Sequence, residues 1–202
     1  MGATASGKTD LALEIAARVP TDIISVDSAM VYRGMDIGTA KPSKEALRNN
    51  PHALVDVRDP PDTYSAQDFI EDADRAVRLA WTRGRVPMLV GGTMMYFNAF
   101  KDGLAKLPSA DATVRQNIEH RGQQVGWPEL HRELSQVDPV AGASIDPGNH
   151  QRIQRALEVY QITGIPISEL WRNAQAEPVS ERLNCNLVEF ALTTLSREEL
   201  HT

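Results

Sequence analysis

Residues 2–9, GATASGKT, satisfy the pattern G-x-x-x-x-G-K-[ST] at every fixed position. Gly2 and Gly7 can adopt backbone angles closed to other residues. The N–H groups along Gly2, Ala3, Thr4, Ala5, Ser6 and Gly7 can therefore turn toward one anion. Lys8 adds a mobile positive charge for a terminal phosphate, and the Thr9 hydroxyl can ligate Mg²⁺. A helix beginning at once would add the positive end of its dipole. ATP, GTP or some other phosphate ester fits such a loop equally well.

Asp27 follows the apolar run DIISV (22–26), at what should be the end of a core strand. Open α/β sheets place ligand-contacting groups there. Its carboxylate could ligate a metal, serve as a general base, or cap the adjacent turn. Arg33 and Lys41 lie further along SVDSAMVYRGMDIGTAKP (25–42) and could meet an anion or be solvated. GGT (91–93) closes a second apolar run, VPMLV (86–90). Its glycines allow close approach of a ligand. Thr93 could hydrogen-bond a phosphate or leaving-group oxygen, or cap the next helix. In NHQRIQRALEVYQITG (149–164) the stripe Ile153, Ala156, Leu157 and Tyr160 should be buried. That leaves Gln151, Arg152 and Arg155 for phosphates and bases, or for water. His52, His120, His131, His150 and His201 show no metal-ligand spacing with one another or with Cys185.

These loops need a scaffold. Leu11, Ala12, Ile15, Ala16 and Val19 fall on one face of a predicted helix that Pro20 stops. DIISV, ALVDV (53–57) and VPMLV read as buried strands, and Ser65 caps a long helix that ends at Gly84. The alternation implies an α/β fold, a P-loop NTPase-like parallel sheet flanked by helices, with the three loops on one rim. Residues 108–175 read as short helices at 111–121, 128–135, 139–144, 149–163 and 166–173, without a strand. NLVEFALTTL (186–195) reads as a strand again. The expected domains are therefore a core over 1–106, a helical insertion over 107–176, and a return to the core over 177–202.

The 202 residues suffice for a sizeable core, and 42% apolar with 24% charged residues is ordinary for a soluble protein. No stretch of eighteen apolar residues and no charged-then-apolar leader is present, and one cysteine suits a reducing compartment. A cytoplasmic monomer is expected. A net charge of −6 argues against gripping nucleic acid by bulk positive field, so any such partner needs a local basic face. Only Met1 precedes Gly2, where a strand should stand, and SREELHT (196–202) reads as a helix start with a capping box. A fragment of a longer chain, or a misplaced start, is expected.

Taken together, these residues resemble the tRNA dimethylallyltransferase (tRNA isopentenyltransferase, or IPP transferase) family. GATASGKT, SVDSAMVYRGMDIGTAKP, LVGGTMMYF (89–97), LPSAD (107–111) and QRIQRALEVY (151–160) are similar to family signatures, in the family's order. The resemblance covers nearly all of the chain, and the 25–42 stretch is far more specific than any phosphate loop. It implies that Gly2 to Thr9 hold dimethylallyl diphosphate with Mg²⁺ rather than ATP. It implies transfer of the allyl group to N6 of adenine 37 in the tRNA anticodon loop, releasing pyrophosphate. Asp27 matches the family's general base, and Thr93 the residue that stabilises the bridging oxygen. Asp27, Ser28, Ala29, Met30, Thr93, Arg115, Gln151, Arg152, Ile153, Gln154 and Arg155 match tRNA-contact positions. Transfer to free adenine nucleotides, or a kinase-like ATP-binding role, are the competing readings. Ala3 stands where the family usually has proline, and the family's C-terminal segment is expected to lie beyond Thr202.

Overall fold

The computed structural model describes residues 1–2, 6–105, 107–173 and 176–192. The chain divides into two compact units, one of residues 1–103 and 177–202, the other of residues 104–176. The first is α/β. Its sheet contains β1 (Thr21–Val26), β2 (His52–Ala53) and β3 (Val86–Gly91) in the order β2-β1-β3, all parallel. Helices α1 (Lys8–Arg18), α3 (Ala66–Thr82) and α4 (Met94–Asp102) flank it, and a short α2 (Lys44–Asn49) precedes β2. The central β1 is rich in β-branched residues, and Ile24 and Val26 are fully buried. The core gathers Ile24, Val26, Phe69, Ala73, Val77, Tyr96 and Phe100.

Local chemistry explains the element ends. The Ser65 hydroxyl accepts from the Asp68 N–H while the Asp68 carboxylate accepts from the Ser65 N–H, a capping box that starts α3. Phe69, Ile70, Ala73, Val77 and Ala80 then bury one face. ALVDV differs from expectation: the ladder stops after Ala53, because Leu54 and Asp56 take φ of 64° and 54°. Among the described residues of the predicted strand over 186–195, a parallel bridge joins Leu192 to Gly2. The Met1 amine donates to the Phe190 carbonyl and the Leu192 N–H to the Met1 carbonyl. Residues 193–195, and the helix start expected at 196–202, lie outside the described residues. On α1 only Ala12 of the predicted stripe is buried, whereas Leu11 and Val19 are 44% and 42% exposed. No described helix is long and apolar enough to cross a membrane.

The second unit is helical: α5 (Ala112–Val125), α6 (Trp127–Val137), α7 (Pro139–Ser144), α8 (His150–Thr163) and α9 (Ile167–Arg172). Ile118, Leu130, Leu134, Ile153, Leu157 and Val159 form its own core. Beyond it, α10 (Val179–Arg182) belongs to the first unit.

Candidate active site

Gly7 precedes α1 at φ 76°, ψ 13°, a left-handed angle that strains any side-chain-bearing residue. Lys8 and Thr9 then open the helix, where its positive end meets the loop. The Lys8 ammonium stands 3.5 Å from the Ser6 hydroxyl. Burial pushes it below the usual lysine range, and the nearby Asp27 carboxylate partly offsets that. A partly desolvated cation of this kind gains from an arriving anion. Ala3, Thr4 and Ala5 lie outside the described residues.

Asp27 leaves the carboxyl end of β1. Its Oδ1 accepts from the Ala29 N–H at 2.8 Å and the Met30 N–H at 3.1 Å, which is how aspartate caps a turn. Among the described residues, no hydrogen bond engages Oδ2. One oxygen shapes the turn and the other is available to a reacting group. Of the cations in the same segment, Arg33 pairs with Asp59 and Lys41 with Asp36 and Asp56. The Lys41 ammonium has all three hydrogens engaged, whereas Arg33 remains half-exposed.

Thr93 stands at the start of α4, yet its side chain makes no cap there. Its Oγ1 accepts from the Ser28 N–H at 3.1 Å instead, and lies 3.5 Å from the Ser28 hydroxyl. The Thr93 N–H donates to the Val26 carbonyl at 3.2 Å. The loops after β1 and β3 are thereby stitched together. Gly91 makes this possible, since a Cβ there would fall 2.0 Å from the Val26 carbonyl oxygen. A Cβ on Gly92 would stand 3.4 Å from the Gly2 carbonyl oxygen, so the phosphate loop joins the same rim. Behind it Tyr96 stacks on Phe69 with centroids 4.6 Å apart. Burial pushes the Tyr96 phenol up, aided by the fields of Tyr32, Asp68 and Asp27. Gly2, Lys8, Asp27 and Thr93 therefore share one rim.

The remaining predicted contacts belong to the helical unit. Ile153 is fully buried, so its side chain offers no surface to a ligand and the expectation is corrected for it. Gln151 and Arg152 are exposed at the start of α8, which the Asn149 side chain caps. Arg115 and Arg155 converge on Glu158, itself fully buried, and Gln154 donates to the Arg115 carbonyl. The Asp111 N–H also donates to Glu158, and Arg155 to the Pro108 carbonyl. Burial works to raise the Glu158 carboxyl, but the arginine and Asp111 hydrogen bonds hold it below its ordinary value. The sequence reading missed Glu158 and Asp56. An acid inside an apolar run or stripe was the available signal in both cases.

Mg²⁺ usually keeps several waters and takes few protein oxygens besides those of substrate phosphates. Thr9, exposed in the first turn of α1 beside the loop, fits an ion that arrives with a diphosphate. Among the described residues no group of three or more His, Cys, Asp or Glu could form a protein cage.

The family model of IPP transferase matches residues 30–202. The chain is 52% identical over 210 residues to tRNA dimethylallyltransferase 2 of Hahella chejuensis (strain KCTC 2396), covering 100% of this chain and 63% of that protein. It thus spans less than two thirds of that relative's length. A full-length tRNA isopentenylpyrophosphate transferase from Bacillus halodurans is 42% identical, with a TM-score of 0.51 over 82% of this chain and 55% of that one. A eukaryotic dimethylallyltransferase crystallised acting on tRNA shares the fold, with a TM-score of 0.71 at 24% identity over 87% of this chain and 44% of its own. The family-model match over residues 30–202, most of the chain, places this protein in the IPP transferase family.

Proposed function

We propose that this chain carries the catalytic rim of a tRNA dimethylallyltransferase, which moves a dimethylallyl group from its diphosphate to N6 of adenine 37 in the anticodon loop. The observation that carries this is the hydrogen bond from the Ser28 amide to Thr93 Oγ1, next to Asp27 and within the field of Lys8. It ties the loop that carries Asp27 to the loop that carries the Thr93 hydroxyl, which supports the reading. The 52% identical relative supports the same reading.

N6 of adenine is a weak nucleophile, its lone pair delocalised into the ring. As N6 bonds to the allylic carbon, the carbon–oxygen bond to diphosphate breaks and the N6 proton passes to Asp27 Oδ2. The pyrophosphate leaves with the bond's electron pair. Lys8, the loop amides from Gly2 to Gly7 and the Thr93 hydroxyl oppose the charge that grows on the departing oxygens. Thr9 would hold a Mg²⁺ that arrives with the diphosphate, and that ion would supply further neutralisation. The adenine must leave its stack, which a single-stranded anticodon loop permits.

Residues 107–176 form the tRNA-contacting domain in this reading, with Gln151 and Arg152 as its exposed polar contacts and Arg115 and Arg155 braced behind them. The enzyme works in the cytoplasm as a monomer. The test is transfer of labelled dimethylallyl from its diphosphate by the full-length protein, with tRNA and AMP as competing acceptors. Label on tRNA supports the proposal. Label on AMP alone, or tight ATP binding without affinity for dimethylallyl diphosphate, overturns it.

A further inference from the structure

Lys41 is a nearly buried cation, its side chain 3% exposed. Its ammonium donates to the Tyr32 carbonyl at 2.7 Å, to Asp36 Oδ1 at 2.8 Å and to Asp56 Oδ1 at 2.7 Å. Those three bonds use all three ammonium hydrogens. Burial alone would lower the lysine pKa, but the hydrogen bonds to Asp36 and Asp56 raise it. The charge is therefore kept for its partners.

Asp56 holds the same loop a second time through its backbone. Its N–H donates to the Met30 carbonyl at 3.1 Å. The Met30 N–H in turn donates to Asp27 Oδ1 at 3.1 Å. A continuous line of hydrogen bonds thus runs from the Lys41 ammonium through Asp56 and Met30 to the carboxylate. Neighbouring bonds extend it: the Val57 and Arg58 N–H groups donate to the Val31 carbonyl at 2.9 and 3.0 Å. Arg33 donates back to the Arg58 carbonyl at 2.8 Å. The line is also held against backbone preference, since Ala40 and Asp56 take φ of 52° and 54°. Such angles persist only where surrounding contacts fix them.

We infer that Lys41 and Asp56 are positioning residues that fix the Asp27 carboxylate through Met30. The inference rests on the proposed role of Asp27 as general base. Lys41 touches no reacting atom. It sets where Met30 lies, and so which way Asp27 Oδ2 points.

Two readouts test this in the full-length protein, with Lys41→Met and Asp56→Asn. The first is amide hydrogen exchange without substrate. Lys41→Met should speed exchange of the Met30 and Ala29 amides by about tenfold or more, with Ile24 in β1 unchanged. Unchanged exchange at Met30 in a folded variant overturns the inference whatever the enzyme's substrate proves to be. The second is single-turnover prenyl transfer to tRNA. Lys41→Met should slow it by about 10²-fold, the usual effect of a small misplacement, with diphosphate affinity retained. In an Asp27→Asn background the same change should slow it no further. Additive losses mean that Lys41 acts independently of Asp27, and overturn the inference. Should Lys41→Met not fold, Asp56→Asn carries both readouts. It keeps the amide that Met30 needs and an oxygen for Lys41, so a smaller effect of the same sign is expected. No effect on either readout overturns the proposal. Absence of transfer by the wild type would refute the functional reading alone, and the exchange result would still decide the positioning role.

Discussion

On the proposed function the two oxygens of Asp27 do different work, so its substitutions should separate. Asp27→Asn keeps an oxygen for the Ala29 and Met30 amides and removes the proposed base. It should cut the single-turnover rate by about 10²–10⁴-fold, with the melting temperature little changed. Asp27→Ala should lose the same rate and also stability, because two amides lose their acceptor. Rapid quench with labelled donor, beside a thermal melt, checks both, and an unchanged rate in either variant removes Asp27 from the role. Glycine substitutions at the rim should diverge as sharply. Gly91→Ala drives a Cβ to 2.0 Å from the Val26 carbonyl oxygen, inside the ladder between β1 and β3. A cost of about 1–3 kcal/mol or more is expected, read as loss of soluble protein or a lowered melt. Gly92→Ala meets the Gly2 carbonyl oxygen only at 3.4 Å and should fold.

At the scale of the element, α8 is a brace. Its Glu158 is fully buried, while Arg115 and Arg155 keep 44% and 29% of their side chains exposed. Removing the acid leaves two arginines that water can reach. Removing both arginines leaves a carboxylate that water cannot reach. The Arg115→Met, Arg155→Met pair should therefore cost more stability than Glu158→Gln, approaching about 3–5 kcal/mol in denaturant titration. Equal costs would refute the brace. Asp138 caps α7 through the Ala141 N–H and ties it to Ser168 of α9. Burial works to raise the Asp138 carboxyl, but the Ser168 and Ala141 hydrogen bonds hold it below its ordinary value, as at Glu158. For a carboxyl lowered on folding, the stabilisation is fully present above the unfolded pKa and disappears as pH falls through the folded one. Helical-unit amides should thus lose exchange protection as pH drops below about 4, and the gap between wild type and Glu158→Gln should close there. A gap that persists at low pH contradicts the assignment.

Across the whole molecule, the first unit is discontinuous in sequence, and its two crossing points meet within it. Gly103 takes φ 79°, ψ 179°, and a Cβ on it would lie 2.7 Å from the Glu177 carbonyl oxygen. Arg182 locks the returning chain, donating to Asp74 at 2.7 Å, to the Glu177 carbonyl at 2.8 Å and to the Phe100 carbonyl at 2.9 Å. With its own core and closed ends, this unit should survive replacement of residues 104–176 by a short Gly–Ser link. The deletion should keep cooperative melting and pyrophosphate binding and lose affinity for tRNA. Retained tRNA affinity would move the RNA contacts out of the helical unit.

The sequence by itself determined what depends on neighbours along the chain. Ser65 announced α3, DIISV and VPMLV announced β1 and β3, and the phosphate loop and the 25–42 stretch announced the rim. Periodicity and capping act within a few residues, so they can be read there. Only the tertiary structure decided what depends on residues far apart. It bent ALVDV out of the sheet at Leu54 and Asp56, and Asp56 is held there by Lys41 and Met30 rather than by apolar pattern. It turned Lys41 from a candidate anion contact into an internal tie, and Arg115 into a partner of a buried acid on another helix. It also gave Thr93 to the Ser28 amide instead of its own helix. A buried charge takes its meaning from its partners, and Lys41–Asp56 and Arg115–Glu158 lie 15 and 43 residues apart along the chain.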